Sequence, residues 1–247
     1  MEKKYHISVI VPALNEEGNL ENTITDIENN LMPFIYKAEI IVIDDGSNDK
    51  TNEIAERLVR EKRVHHIIHH TRPYGIGFSF RDGVFKANGD YVVMIPGDNE
   101  MVISELRKAL PLLEDNDFVL PFTINTQVRN VFRRALSYSY NFLINTLFMV
   151  NIRYTNGCVI YRREIFNHLD IVTDGYTFQA EIIIKAIRLG YEYKEIGVRI
   201  RQRMCGESKA VKLRNFYNIV WCLLVIFTEV YFLKKYNYKV RDIKYDS

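Results

Sequence analysis

Val9-Ile10-Val11-Pro12-Ala13-Leu14-Asn15-Glu16-Glu17 and Ile40-Ile41-Val42-Ile43-Asp44-Asp45-Gly46-Ser47 are two apolar runs, each ending in a polar tip. Short β-branched runs that stop at turn residues read as buried parallel strands. Two such strands side by side carry their tips to one edge of a sheet, where open α/β sheets bind ligands. Carboxylate acceptors and a glycine turn at that edge suit a nucleotide base and ribose better than a phosphate. Pro12, Leu14, Glu16 and Asp45 are the residues placed there, unless Asn15 and Glu16 simply cap the next helix.

The pattern continues outward from this pair. Helices are expected over 17–31 and over 51–62, the second capped by Asn48 or Asp49. His65–His70 and Asp90–Ile95 read as further strands, with a helix over Gly77–Ala87 between them. Ser104 is the expected cap of a helix running to Glu114, and Phe118–Pro121 is a fifth strand. Strands alternating with helices predict an α/β fold with a mostly parallel central sheet covered by helices. Beyond residue 122 a long helix spans Val131–Phe148, Val159–Tyr161 is a short strand, Tyr176–Leu189 is an amphipathic helix, and Tyr191–Ile200 is a strand or hairpin.

The chain has 247 residues, 47% apolar and 26% charged, with a net charge of +2. Such a chain can bury a sizeable single-domain core. The charge is uneven. Acids dominate the first sixty positions and Arg and Lys dominate 127–214, a bias that suits an anionic partner such as a phosphate or a lipid headgroup and does not single out nucleic acid. Cys158, Cys205 and Cys222 fit neither a disulfide framework nor a zinc spacing, and the N-terminus runs directly into a strand with no secretory signal. Both point to a reducing, cytoplasmic setting.

Three further constellations carry chemistry. Ile95-Pro96-Gly97-Asp98-Asn99-Glu100 follows the fourth strand, and Asp98 and Glu100 are the hard oxygen ligands expected for Mg²⁺ or Mn²⁺ on a diphosphate. Its alternative reading is a plain Pro-Gly-Asp turn. Arg203-Met204-Cys205-Gly206-Glu207-Ser208-Lys209 sets two cations about a glycine turn and a hydroxyl, which suits phosphate, with Ser208 among the binding groups. Arg133, Ser137 and Asn141 lie one turn apart on one face of the long helix, with Arg129 and Arg134 nearby. Two signals are discounted. Gly75-Ile76-Gly77 with Gly83 has the wrong interval for a dinucleotide loop. His65, His66, His69 and His70 would be split between the two faces of a strand and are not expected to bind zinc.

Taken together, Pro12-x-x-Asn15-Glu16, Asp44-Asp45-Gly46-Ser47, Asp98 and the order Tyr176, Phe178-Gln179, Glu181, Glu195, Gly206-Glu207-Ser208-Lys209 resemble the inverting family 2 glycosyltransferases. Within that family they resemble the dolichyl-phosphate mannose synthases and related polyprenyl-phosphate glycosyltransferases. The resemblance covers Ser8 to about Lys212 and implies a GT-A (Rossmann-like) fold. It also implies transfer of a sugar from a GDP- or UDP-sugar to a polyprenyl or dolichyl phosphate with inversion.

By resemblance, Pro12, Leu14, Glu16, Ile43 and Asp45 contact the nucleotide, while Gly97, Asp98 and Glu100 lie at the diphosphate and its divalent metal. Arg203 and Lys209 neutralise phosphates beside Asp98, and Arg133 and Ser137 hold the acceptor phosphate. The chain departs from the pattern at Leu14 (usually aromatic), at Pro96 (usually the first Asp of Asp-x-Asp), at Thr123, at Arg153 and at Cys158-Val159. The resemblance therefore does not name the sugar.

The expected organisation is a glycosyltransferase domain over 1–212, with a nucleotide-sugar half (1–121) and an acceptor half (122–212). An apolar helix and polar tail follow over 213–247. The stripe Phe216, Ile219, Val220, Leu223, Phe227, Val230 and Tyr231 leaves three readings for that helix: interfacial on the cytoplasmic face of a membrane, core or oligomer packing, or a span. A homo-oligomer or a membrane partner subunit stays open. Two alternatives to the acceptor assignment are a sugar hydroxyl, with Asp174 or Glu181 as base, and a non-catalytic nucleotide-sugar binding subunit.

Overall fold

The computed structural model describes residues 4–201 and 213–236. Its strands are β1 (His6–Ala13), β2 (Lys37–Asp44), β3 (His66–His69), β4 (Tyr91–Met94), β5 (Phe118–Thr123), β6 (Ile160–Arg162) and β7 (Tyr193–Val198). The helices are α1 (Leu20–Asn30), α2 (Thr51–Arg60), α3 (Ile76–Lys86), α4 (Ile103–Leu106), α5 (Val131–Phe148), α6 (Phe178–Arg188) and α7 (Leu213–Phe227). The strands form one sheet in the order β3-β2-β1-β4-β6-β5-β7. All pairs are parallel except those of β6, which runs against both β4 and β5. The expected α/β architecture and mostly parallel sheet are therefore present.

The apolar strands account for the layering. Val9, Val11 and Ala13 of β1 face one side and join Leu20, Ile24 and Ile27 of α1 in a buried cluster. Ile10 faces the other side with Phe80 of α3, Phe178 of α6, and Ile41 and Ile43 of β2. A strand with helices on both faces reads as a near-continuous apolar run, and seven of the eight residues of β1 are buried. Chain order then fixes the switch point. The chain moves outward from β1 to β3 and returns to place β4 on the other flank of β1. In open α/β sheets ligands bind at such a reversal, outside the carboxyl ends of the strands.

Two helix readings change. No hydrogen bond from Ser104 caps the helix after it; α4 begins after Val102 without a side-chain cap and lasts one turn. The path to Glu114 continues as a 3₁₀ segment, Arg107–Leu113, because Pro111 has no N–H to donate within it. The formal cap of α2 is Lys50, but Asp49 does the capping work, accepting from the Thr51 and Glu17 amides at 2.9 and 3.1 Å.

The C-terminal helix is docked on the body. Leu223, Ile226 and Val230 bury one face against Ile144 and Phe148 of α5 and Ala180 and Ile184 of α6. A π turn over Thr228–Phe232 ends it. Among the described residues no helix is long and apolar enough to cross a membrane. Its opposite face stays open, with Trp221 60% and Leu224 55% exposed.

Candidate functional site

The strand tips meet as expected, and they are laced together. Asp45 N donates to Ala13 O at 2.9 Å, and Gly97 N donates to Pro12 O at 3.0 Å, which draws the ends of β1, β2 and β4 onto one edge. Asn15 N donates to the Ser47 hydroxyl, Asn48 N to the Asn15 side chain, Glu16 N to the Thr51 hydroxyl and Lys50 N to Glu17. Asn15 sits at φ +52°, a conformation its short polar side chain tolerates. Much of the Asn-Glu and Asp-Gly-Ser signature thus holds the two loops to each other.

Pro12, Ile43 and Gly97 are buried at this edge and Leu14 is half-buried. Glu16 is buried too, and accepts from the Asn19 amide group at 2.8 Å. Asp45 is also buried. Its carboxylate accepts from the Tyr74 and Gly75 amides, both at 2.9 Å, and lies 2.8 Å from His70 Nδ1. Gly46 makes this possible: at φ +72° its missing Cβ leaves room for the Arg72 backbone, which a Cβ would meet at 2.6 Å.

Beyond β4, Asp98 accepts from the Glu100 amide at 3.1 Å, closing a tight acidic turn. Glu100 lies across from α5, 3.7 Å from Arg133 Nη1 and 3.9 Å from Arg129 Nη2. Asn130 caps α5 by accepting from Arg133 N at 2.7 Å, which satisfies a free amide of the first turn, the turn that carries Arg133. Arg129 also donates to the Tyr154 hydroxyl at 2.9 Å. Ser137 is half-buried one turn further along, and Asn141 accepts from Thr155. Burial, joined by the Asp98 and Glu100 charges, pushes the Cys158 thiol up to about 12 and keeps it protonated.

Asp98 and Glu100 are a small donor set. Among the described residues no group of three or more His, Cys, Asp or Glu side chains converges as a metal site. Two carboxylates nevertheless suit Mg²⁺ or Mn²⁺, which take much of their coordination from water and substrate phosphate. Arg203, Ser208 and Lys209, with Gly206 and Glu207, lie outside the described residues. The segment leading to them is anchored beside the acidic turn. Met101 and Ile200 form an antiparallel bridge, and Arg201 N donates to Glu100 O at 2.7 Å.

One candidate loses its role. Glu181 is fully buried and accepts from the Val172 amide, the Thr173 amide and hydroxyl, and Lys185. A carboxylate with every lone pair engaged and no access to solvent is not a base for an incoming hydroxyl. Asp174 is half exposed and paired with Arg81 at 3.1 Å. The histidines do not converge: His66 faces Glu39, His69 faces Asp44, and His70 lies between Asp45 and Asp82. The place of His70 against Asp45 was not read from the sequence, because only the pairing of β2 with β3 brings them together.

The model of the family described as "Glycosyl transferase family 2" matches residues 8–170. The chain belongs to glycosyl transferase family 2. The matched span runs past the acidic turn and α5, and crosses the expected division at 121/122. Within the family the chain is similar to a dolichyl-phosphate beta-glucosyltransferase of Saccharomyces cerevisiae, 26% identical over 80% of this chain and 67% of that one. It is also similar to a dolichol-phosphate mannosyltransferase of Pyrococcus furiosus, 27% identical over 87% of this chain and 63% of that one. The second relative is thus matched over less than two thirds of its length. Among solved structures, glucosyl-3-phosphoglycerate synthase from Mycobacterium tuberculosis, crystallised with Mn²⁺, UDP and glucosyl-3-phosphoglycerate, shares the fold. The TM-score is 0.61 at 21% identity, over 91% of this chain and 79% of that one.

Proposed function

We propose that this glycosyltransferase moves a sugar from a GDP- or UDP-sugar to a polyprenyl phosphate at a membrane surface, with inversion at the anomeric carbon. The observation that carries this reading is the start of α5. There Arg133, together with Arg129, faces the acidic turn, while the rest of the same helix bears an open apolar surface. Phe132 and Phe142 are 67% and 64% exposed, and Leu136 and Leu143 are also exposed. A cationic head site beside an uncovered apolar helix fits a lipid that ends in a phosphate. The open faces of α5 and α7, the second with Trp221 and Leu224, support peripheral docking of the protein on a membrane surface.

The chemistry follows from the nucleophile. A phosphate monoester is largely ionised at neutral pH, so it needs cations to aim it and no strong base. Arg133, Arg129 and Ser137 hold the acceptor. Pro12, Leu14, Glu16, Ile43 and Asp45 hold the base and ribose of the donor. Asp98 and Glu100 would hold a divalent cation on the donor diphosphate, which would neutralise the charge of the leaving group. Arg203, Ser208 and Lys209 complete the phosphate environment from the segment that follows Arg201. A single displacement from the acceptor side inverts the anomeric carbon.

The test is transfer from labelled GDP- and UDP-sugars to polyprenyl phosphate in detergent, with Mn²⁺ or EDTA. The expected result is label in the lipid phase that EDTA abolishes. Asp98→Ala should lower it by about a hundredfold or more, and Arg133→Ala should raise the acceptor KM. Saturable donor binding with no lipid label from any donor would overturn the acceptor assignment.

A further inference from the structure

His70 is buried between two carboxylates on different elements. Its Nδ1 lies 2.8 Å from Asp45 Oδ1 and its Nε2 3.1 Å from Asp82 Oδ2 on α3. Both contacts are hydrogen bonds only when both ring nitrogens carry protons, because a carboxylate only accepts. The ring is packed edge-on against Tyr74 and Phe78, with centroids 5.4 and 5.2 Å away, and those two rings stack on each other. Arg72 lies over Tyr74 and Arg81 over Phe78, 5.1 and 4.8 Å from the ring centroids. The ring is therefore held in one orientation, and its hydrogen bond fixes the orientation of the Asp45 carboxylate.

Asp45 in turn holds the backbone of the next loop through the Tyr74 and Gly75 amides. That loop is wedged against the segment before α6. Gly77 N donates to Asp174 O at 2.8 Å, and a Cβ at Gly75 would meet Asp174 O at 2.5 Å. From this we propose that His70 is a positioning residue for donor binding: bridging Asp45 and Asp82, it sets the Asp45 carboxylate and, through it, the Tyr74–Gly75 backbone that walls the base end of the nucleotide pocket. The inference rests on the reading of Asp45 as part of the donor site. A wall formed before the ligand arrives spares the ligand the cost of ordering it.

The test combines hydrogen exchange at the Tyr74 and Gly75 amides with calorimetric titration by GDP and UDP. Both use the full chain as wild type and as His70→Phe, Asp82→Ala and Asp82→Asn. Phenylalanine keeps the ring packing and removes both ring nitrogens. Alanine at the partly exposed Asp82 removes the outer contact at little risk to folding. Both should speed exchange at the two amides and weaken by about tenfold whichever nucleotide the wild type binds. Asp82→Asn, whose amide donates to a neutral Nε2, should restore wild-type exchange and affinity. Unchanged exchange in the folded Phe and Ala variants, or faster exchange with unchanged affinity, would overturn the positioning role. Wild-type protein that binds neither nucleotide would instead overturn the donor reading beneath it, and the exchange data, which need no ligand, tell the two failures apart.

Discussion

At the residue scale, carboxylates of one chemical type do opposite work according to what surrounds them. Asp98 and Glu100 sit on a turn facing α5, and Glu100 lies 3.7 Å from Arg133 and 3.9 Å from Arg129, a looser pairing than a buried ion pair. Glu181 is sealed, with its charge matched by Lys185, which is itself fully buried and donates to Asp170 O. Burial works against the Lys185 charge, but Glu181 and Glu229 outweigh it and hold the ammonium above its ordinary value. Glu181→Gln removes one partner of a buried ion pair and should cost about 3 kcal/mol in urea unfolding. Below its unfolding transition the variant should keep its kcat. Wild-type stability with a collapsed kcat would return Glu181 to the chemistry.

At the scale of elements, α7 shows two faces with different duties. Ile226 is fully buried in the cluster shared with α5 and α6. The Tyr231 hydroxyl, on the π turn, donates to Leu147 O at 3.0 Å and accepts from Arg188. Glu229 reaches Lys185 and Lys235, both at 2.8 Å. Ile226→Ala should therefore lower stability by about 3 kcal/mol through the cavity it leaves. Trp221→Ala on the open face should change stability by less than about 0.5 kcal/mol. The order should reverse in sedimentation with phosphatidylglycerol vesicles, where Trp221→Ala loses binding. Equal vesicle binding by wild type and Trp221→Ala would remove α7 from the membrane contact.

At the scale of the whole molecule, one buried carboxylate ties the base of the sheet together and sets an acid limit. Glu39 on β2 accepts from the Ser8 hydroxyl of β1 at 2.6 Å and from the Asn88 amide and side chain, both at 2.9 Å. Burial pushes its pKa up, but these hydrogen bonds outweigh it and the net shift is downward. Glu229 is lowered in the same way: burial opposes its charge, and Lys185 and Lys235 prevail. A group lowered in the folded state contributes stability that is complete above its unfolded value, about 4.3 for Glu, and is lost as pH falls through the folded value. For these groups, urea midpoints should hold between pH 7 and 5 and decline below about 4.3, and Glu39→Gln should shrink that decline. A Glu39→Gln curve parallel to wild type would show that this carboxylate is not the one involved.

Composition and periodicity alone determined most of the strands, the mostly parallel sheet and the edge at which the first strand tips gather, because a strand covered on both faces is largely apolar and stops at turn residues, whereas the reversed direction of β6 appeared only in the pairing. The helix over Val131–Phe148 was likewise legible from local pattern. Only the tertiary structure decided which polar residues are spent on the chain itself. The lacing of Asn15, Glu17, Ser47 and Asp49 and the capture of Asp45 by His70 and the Tyr74–Gly75 amides join groups far apart in sequence. Glu181 and Lys185 are only one helical turn apart, but their complete burial depends on how α6 packs. A carboxylate's role depends on the donors and the solvent around it, and those are set by strand order and helix packing, which no local pattern encodes.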